Sequence, residues 1–248
     1  MSIRRCFAAV VGLSLIFGAL RDVSAQVSPY TDDFEADTLN PFWSRLEQSG
    51  QITFPSSVQA HSGSRCVQFN SSYNTGQKEI HLYHDFLEPT FGDFSVWMYD
   101  TGANASSSNY IGLVLLTESP TTPYAVLNAY DYNFGDGAYY RGGAAWTSDT
   151  FISPIARTLG WHKFEIDVLP DSTLYFVDGQ SVHTGIPVGG VVRADLSIGG
   201  PDWRPAWEAY FDDFQFQPIP EPSTLASILT GLGAMGLIAA WRRRKRAG

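Results

Sequence analysis

Two cysteines in 248 residues leave no disulfide framework to hold a fold together, and Cys66 alone remains once the first 25 residues are set aside. In Cys66-Val67-Gln68-Phe69 it shares the parity of Gln68, opposite Val67 and Phe69, and reads as an inert, partly buried thiol. Basic residues are scarce between 26 and 218: eight stand against 23 acidic ones, a net charge near −15 where the whole chain carries −9. Such a surface excludes nucleic acid and anionic membrane as natural partners and suits a neutral glycan or a cation. Helical periodicity is missing from the same stretch. The five histidines, His61, His81, His84, His162 and His183, show neither metal-ligand spacing nor a nucleophile partner. His81 and His84 lie three apart in a predicted strand, on opposite faces, and read as surface or satisfied core groups.

What the chain has in plenty sits at its ends. Arg4 and Arg5, the apolar run Cys6 to Leu20 and the small residues Val23-Ser24-Ala25 form a signal peptide with cleavage expected after Ala25. A lipoprotein would need its cysteine at the end of that run, whereas Cys6 stands at its start. At the other end, Pro220-Glu221-Pro222 precede an uncharged apolar run, Leu225 to Trp241, and the cluster Arg242-Arg243-Arg244-Lys245-Arg246. Seventeen helical residues span roughly 25 Å, close to the ~30 Å hydrocarbon core, so the run is expected to be a single transmembrane helix. Five clustered cations keep its C-terminal side in the cytoplasm and everything before Pro220 outside. The sequence thus divides into a signal peptide, 1–25, a domain, 26–218, and a tail, 219–248. Proline pair, short helix and basic stop, in that order, resemble the PEP-CTERM sorting tail. The resemblance implies an exosortase-type membrane peptidase as partner, acting near Pro220, Glu221 and Pro222. The alternative is a plain anchor that stays uncut.

About 190 residues remain for one well-filled domain. Phe94, Val96 and Met98 alternate with Ser95, Trp97 and Tyr99, and Phe164, Ile166 and Val168 alternate with Glu165, Asp167 and Leu169, the period of half-buried strands. Turn signals such as Ser62-Gly63, Asp178-Gly179 and Gly199-Gly200 punctuate the strands. Many short strands without strand-helix-strand alternation predict an all-β, antiparallel sandwich of the jelly-roll kind. Within it, Leu159-Gly160-Trp161-His162-Lys163-Phe164-Glu165-Ile166-Asp167-Val168 followed by Leu174-Tyr175-Phe176-Val177-Asp178-Gly179 resembles a hairpin of laminin-G and concanavalin A-like lectin/glucanase domains. Trp161 is expected to open the first strand at the sandwich edge. The frame of Asp32-Asp33-Phe34-Glu35, His61 to Phe69 and Phe211-Asp212-Asp213-Phe214 is similar to that of jelly-roll carbohydrate-binding modules.

That resemblance implies a structural calcium held by Glu35, the loop at Ser62 to Ser64, and Asp212 or Asp213. Against it, Asp212 shares the parity of Phe214 and Phe216, and these acids could be solvated or locally hydrogen-bonded. Glu165-Ile166-Asp167 resembles part of the Glu-x-Asp-x-(x)-Glu strand of laminarinase-like glycosidases, but Val168-Leu169-Pro170 follows and the third carboxylate is missing. Retaining hydrolysis then lacks its proton donor, and no catalytic residue is assigned. Sugar faces stack on aromatic rings, for which Tyr130, Tyr132, Trp146, Trp203 and Trp207 are candidates, with Tyr139 and Tyr140 in the same supply. The expected protein is exported, anchored in the inner membrane through its C-terminal helix before processing, then placed on the cell surface or in the extracellular matrix. There it would bind exopolysaccharide or another glycan without cleaving it. A glycoside hydrolase or polysaccharide lyase on the same fold, and a purely structural matrix protein, are the alternatives.

Overall fold

A computed structural model describes residues 27–48, 50–71, 78–102, 110–118, 124–129, 138–145, 147–200 and 208–219. The signal peptide, the sorting motif Pro220-Glu221-Pro222, the apolar run 225–241 and the basic cluster lie outside the described residues. Among those described, no helix is long and apolar enough to cross a membrane. Ser28–Ile219 forms one compact unit.

Among the described residues fifteen strands follow in chain order: β1 (Tyr30–Asp32), β2 (Ser44–Gln48), β3 (Gly50–Ser56), β4 (Cys66–Ser71), β5 (Lys78–Thr90), β6 (Gly92–Asp100), β7 (Tyr110–Thr117), β8 (Ala125–Asn128), β9 (Tyr139–Ala144), β10 (Thr150–Ala156), β11 (Gly160–Val168), β12 (Thr173–Val177), β13 (Gln180–Gly185), β14 (Val191–Gly200) and β15 (Glu208–Pro218). They make two antiparallel sheets. One runs β13-β12-β11-β6-β15-β4-β3, with β1 added to β15; the other runs β10-β9-β8-β7-β14-β5-β2. The fold is therefore an all-β two-sheet sandwich.

Alternation decides which face of each strand goes inward. Phe94, Val96 and Met98 of β6 and Phe164, Ile166 and Val168 of β11 are fully buried, as are Leu113 and Leu115 of β7 and Leu196 and Ile198 of β14. Each large apolar side chain so placed contributes about 1.5–3 kcal/mol, so this interior can hold the domain without a disulfide. Cys66 is free and buried within it, its thiol pushed up to about 11 by burial, which keeps it protonated and inert.

The β11–β12 hairpin shows why its residue types are needed. Asp178 takes a positive φ of 53° in the turn after β12, and its carboxylate accepts hydrogen bonds from His162 Nδ1 at 2.8 Å and from the Lys163 amide at 2.8 Å. Trp161 stands on the outer face near the start of β11, edge-on to Tyr99.

In β15 the structure corrects the expected parity. Ala209 and Phe211 point inward, and so do Phe214 and Phe216, because a bulge with Asp213 at φ 47° shifts the register between Asp212 and Gln215. Asp212, paired with Trp97, thus faces the opposite side from Phe214 and Phe216. β1 pairs with the far half of β15, Tyr30 opposite Phe216 and Asp32 opposite Phe214, so the two ends of the domain meet in one ladder.

Candidate functional site

The outer face of the seven-stranded sheet carries a cleft of about 600 Å³. Its floor is a row of residues set opposite one another on successive strands. Leu46 of β2 opposes His81 of β5, His81 opposes Ser197 of β14, Ser197 opposes Gly112 of β7, Gly112 opposes Asn128 of β8, and Asn128 opposes Arg141 of β9. Period-two alternation brings Asp195 and Ser197 to this side while Ala194, Leu196 and Ile198 fill the core. Glu79, two residues before His81, lies on the same side.

The floor is polar and in part buried. His81 Nδ1 meets Asp195 Oδ2 at 2.7 Å, and Asp195 is only 4 % exposed. Burial pushes the Asp195 carboxyl up to about 6, against the pull of the His81 hydrogen bond and charge. Burial works against protonated His81 too, but the hydrogen bond and charge of Asp195, with Glu79 beside it, outweigh this and raise its pKa. Each partner therefore favours the charged form of the other. Asp195 Oδ1, Ser197 Oγ and Asn128 Oδ1 are buried without a partner among the described residues. Around the floor stand Tyr110, Tyr124 and Phe151, rings of the kind that sugars stack against. Tyr110 can lie flat over β14 because residue 199 is glycine: a Cβ there would come within 2.2 Å of the phenol ring.

The carboxylates expected to hold calcium gather at another place, around the turn at 61–65. Glu35 Oε1 accepts the amides of Ser64 at 2.8 Å and Arg65 at 2.7 Å, which hold its pKa below the ordinary value. Gly63, at φ +56°, leaves room for this carboxylate, since a Cβ would lie 2.4 Å from it. From the other side, Asp212 Oδ2 accepts the amides of His61 and Ser62, while Asp213 meets His61 Nδ1 at 2.7 Å and the Ser62 hydroxyl at 2.9 Å. Asp212 is fully buried, its carboxyl pushed up to about 6 by burial. The turn is thus clasped by Glu35 on one side and Asp212 and Asp213 on the other. Among the described residues no group of three or more His, Cys, Asp or Glu side chains is placed to hold a metal ion.

Glu165 and Asp167 stand on the outer face of the other sheet, away from the cleft, with Asp167 directly opposite Asp93 and Glu165 paired to Lys163. Tyr140 is buried in the core and Tyr139 is exposed at the start of β9. Tyr130, Tyr132, Trp146, Trp203 and Trp207 lie outside the described residues. Sequence reading missed the cleft residues Glu79, Tyr110, Asn128, Arg141, Asp195 and Ser197, and left His81 without its partner. A signal was present in Arg193-Ala194-Asp195-Leu196-Ser197-Ile198, where an acid and a hydroxyl alternate with core residues of a strand.

Residues 218–245 match the PEP-CTERM protein-sorting motif, so the chain carries such a tail, which implies an exported protein processed by an exosortase. Among curated proteins none matches the sequence. In fold the chain is similar to Cip1, a cellulose-induced protein, with a TM-score of 0.60 over 76 % of this chain and 96 % of that one at 14 % identity. It is similar to a Crh5 transglycosylase, TM-score 0.57, over 80 % of this chain and 88 % of that one at 18 % identity. The catalytic domain of an endo-1,3-β-glucanase (laminarinase) from Thermotoga petrophila RKU-1 gives 0.54 over 79 % and 98 % at 12 % identity. At such identities the likeness is one of fold: a sandwich of the concanavalin A-like glucanase type.

Proposed function

We propose that this chain is a surface or matrix protein whose sandwich holds a glycan in the cleft of the seven-stranded sheet without cleaving it. The observation that carries this reading is the cleft itself, with its buried, unpartnered acceptors on the floor and rings at its sides. Such a surface offers hydrogen bonds to sugar hydroxyls and apolar faces to sugar rings.

Glycoside hydrolysis needs two carboxyl groups about 5–9.5 Å apart across the scissile bond. Among the described residues the cleft's carboxylates are Glu79 and Asp195, offset by four residues along paired strands, since Asp195 opposes Tyr83. Asp195 is moreover buried with one oxygen held by His81, which suits holding a hydroxyl better than attacking or protonating a glycosidic bond. Before processing, the run 225–241 would anchor the protein in the inner membrane, and cutting near Pro220-Glu221-Pro222 would release it to the surface or matrix. A calcium at the 61–65 turn would tie the first and last strands together and add stability rather than chemistry.

The test is affinity electrophoresis of the full chain through gels containing neutral polysaccharides, with a parallel assay for new reducing ends and for unsaturated products. Retardation without product formation is expected. Product formation would replace this reading with an enzymatic one, and free migration in every gel would leave a structural matrix role.

A further inference from the structure

The floor of the cleft has more hydrogen-bond acceptors than groups to satisfy them. Asp195 Oδ2 is taken by His81, but among the described residues Oδ1 of the same carboxylate has no partner, nor has the Ser197 hydroxyl, although these residues are 4 % and 0 % exposed. Folded proteins leave few buried polar atoms in this condition, because each has lost its water and gained nothing in return. Both residues line the cleft from β14, two positions apart, so they share a face at a separation of about 7 Å, roughly the breadth of one sugar ring.

The charges around them limit what can dock. Arg193 lines the cleft but is held by both oxygens of Asp85, at 2.5 and 3.0 Å, and lies over the Tyr83 ring at 4.0 Å. Arg141 stands three strands from Ser197 along the row, about 14 Å between Cα atoms. A carboxylate or sulfate arriving at Asp195 would therefore meet negative charge there and from Glu79, whereas a hydroxyl would meet acceptors that no described group fills.

Building on the glycan-binding reading above, we propose that Asp195 Oδ1 and Ser197 Oγ determine the specificity of the cleft. They take two hydroxyl donors from one uncharged sugar residue, and His81 is the positioning residue that keeps the Asp195 carboxylate ionised and aimed. Glu79 on β5, Tyr110 on β7 and Arg193 on β14, with Asp85 behind it, are the other titratable groups that act on the pair. Protonation of Asp195 removes an acceptor, so affinity falls as pH drops through about 6, the value to which burial lifts this carboxyl.

Isothermal titration of the full-length protein in a sugar-free detergent, with cellohexaose, laminarihexaose and hexagalacturonate, tests this. At pH 7.5 one of the neutral hexasaccharides is expected to bind at least tenfold more tightly than hexagalacturonate. Asp195→Asn should weaken that binding about tenfold and Ser197→Ala at least threefold, and the native protein should lose at least threefold between pH 7.5 and 5.0. In His81→Gln the midpoint of this pH profile should move upward, because Asp195 has lost its cation; a purely structural role would lower the melting temperature and leave the midpoint in place. Ser197→Ala deletes one oxygen and keeps the test open if Asp195→Asn fails to fold. Neutral binding that Ser197→Ala and a folded Asp195→Asn leave unchanged, or hexagalacturonate binding as tight as neutral binding, overturns the proposal while the glycan reading stands. Absence of binding to either neutral hexasaccharide overturns it outright, and retention in the polysaccharide gels then decides the glycan reading separately.

Discussion

Asp195 and Asp167 are both held well above the ordinary carboxyl range, one on each outer face of the sandwich, and they arrive there by different routes. Burial lifts Asp195 to about 6 while His81, 2.7 Å away, pulls it back toward ionisation. Burial lifts Asp167 to about 7, and the like charges of Asp93 and Glu165 push in the same direction, against Lys163. The first group has His81 at one oxygen, which favours its ionised form, and its other oxygen has no partner among the described residues of the cleft floor. The second sits among carboxylates on a β-sheet surface and is relieved by taking up a proton. A raised carboxyl therefore marks a site only when something opposes the rise and a cavity receives the result.

The contrast breaks most readily at His81. His81→Ala leaves Asp195 buried without its cation, and chemical denaturation at pH 7.5 is expected to show a loss of about 3 kcal/mol, smaller at pH 5, where Asp195 is protonated in any case. Asp167→Asn should act the other way. Its folded pKa lies above the unfolded value, so the native state binds the extra proton between about pH 4 and 7, and the stability tied to Asp167 is present below that window and lost as pH rises through it. The asparagine variant is then expected to gain about 1–2 kcal/mol at pH 8, after allowance for solvent screening, and close to nothing at pH 4, as read from paired denaturation curves. The acids around the 61–65 turn form a third arrangement. Millimolar calcium should raise the melting temperature by about 4 °C, reversibly with EGTA, and Glu35→Gln should abolish the rise; an unchanged melting curve would leave hydrogen bonds alone as the clasp. The smallest effect is expected at Glu165, where Glu165→Gln removes a partly exposed pairing with Lys163 and should change stability by less than about 0.5 kcal/mol.

Local pattern carried the architecture. Alternation in β6 and β11 marks both as half-buried strands, and the acids Glu165 and Asp167 mark the outer face of β11, because a strand facing a core on one side writes that choice into every second residue. It failed at Asp212, where a one-residue bulge reverses the alternation and nothing in Phe211-Asp212-Asp213-Phe214 announces it. It failed again at the cleft for a reason of distance. His81 and Asp195 are 114 residues apart, and each taken alone is an ordinary polar residue on the open side of a strand. Only the pairing of β5 with β14 makes them one group, and strand order is a tertiary fact that local periodicity does not encode.

The ladder that closes the domain ends with the amide of Ile219 donating to the Phe91 carbonyl, and the next residue, Pro220, has no amide hydrogen to offer. A peptidase cutting at or beyond that proline would sever none of the rungs among the described residues. The passenger set loose should unfold at the same denaturant concentration as the tethered one, so that maturation changes its address and leaves its endurance untouched.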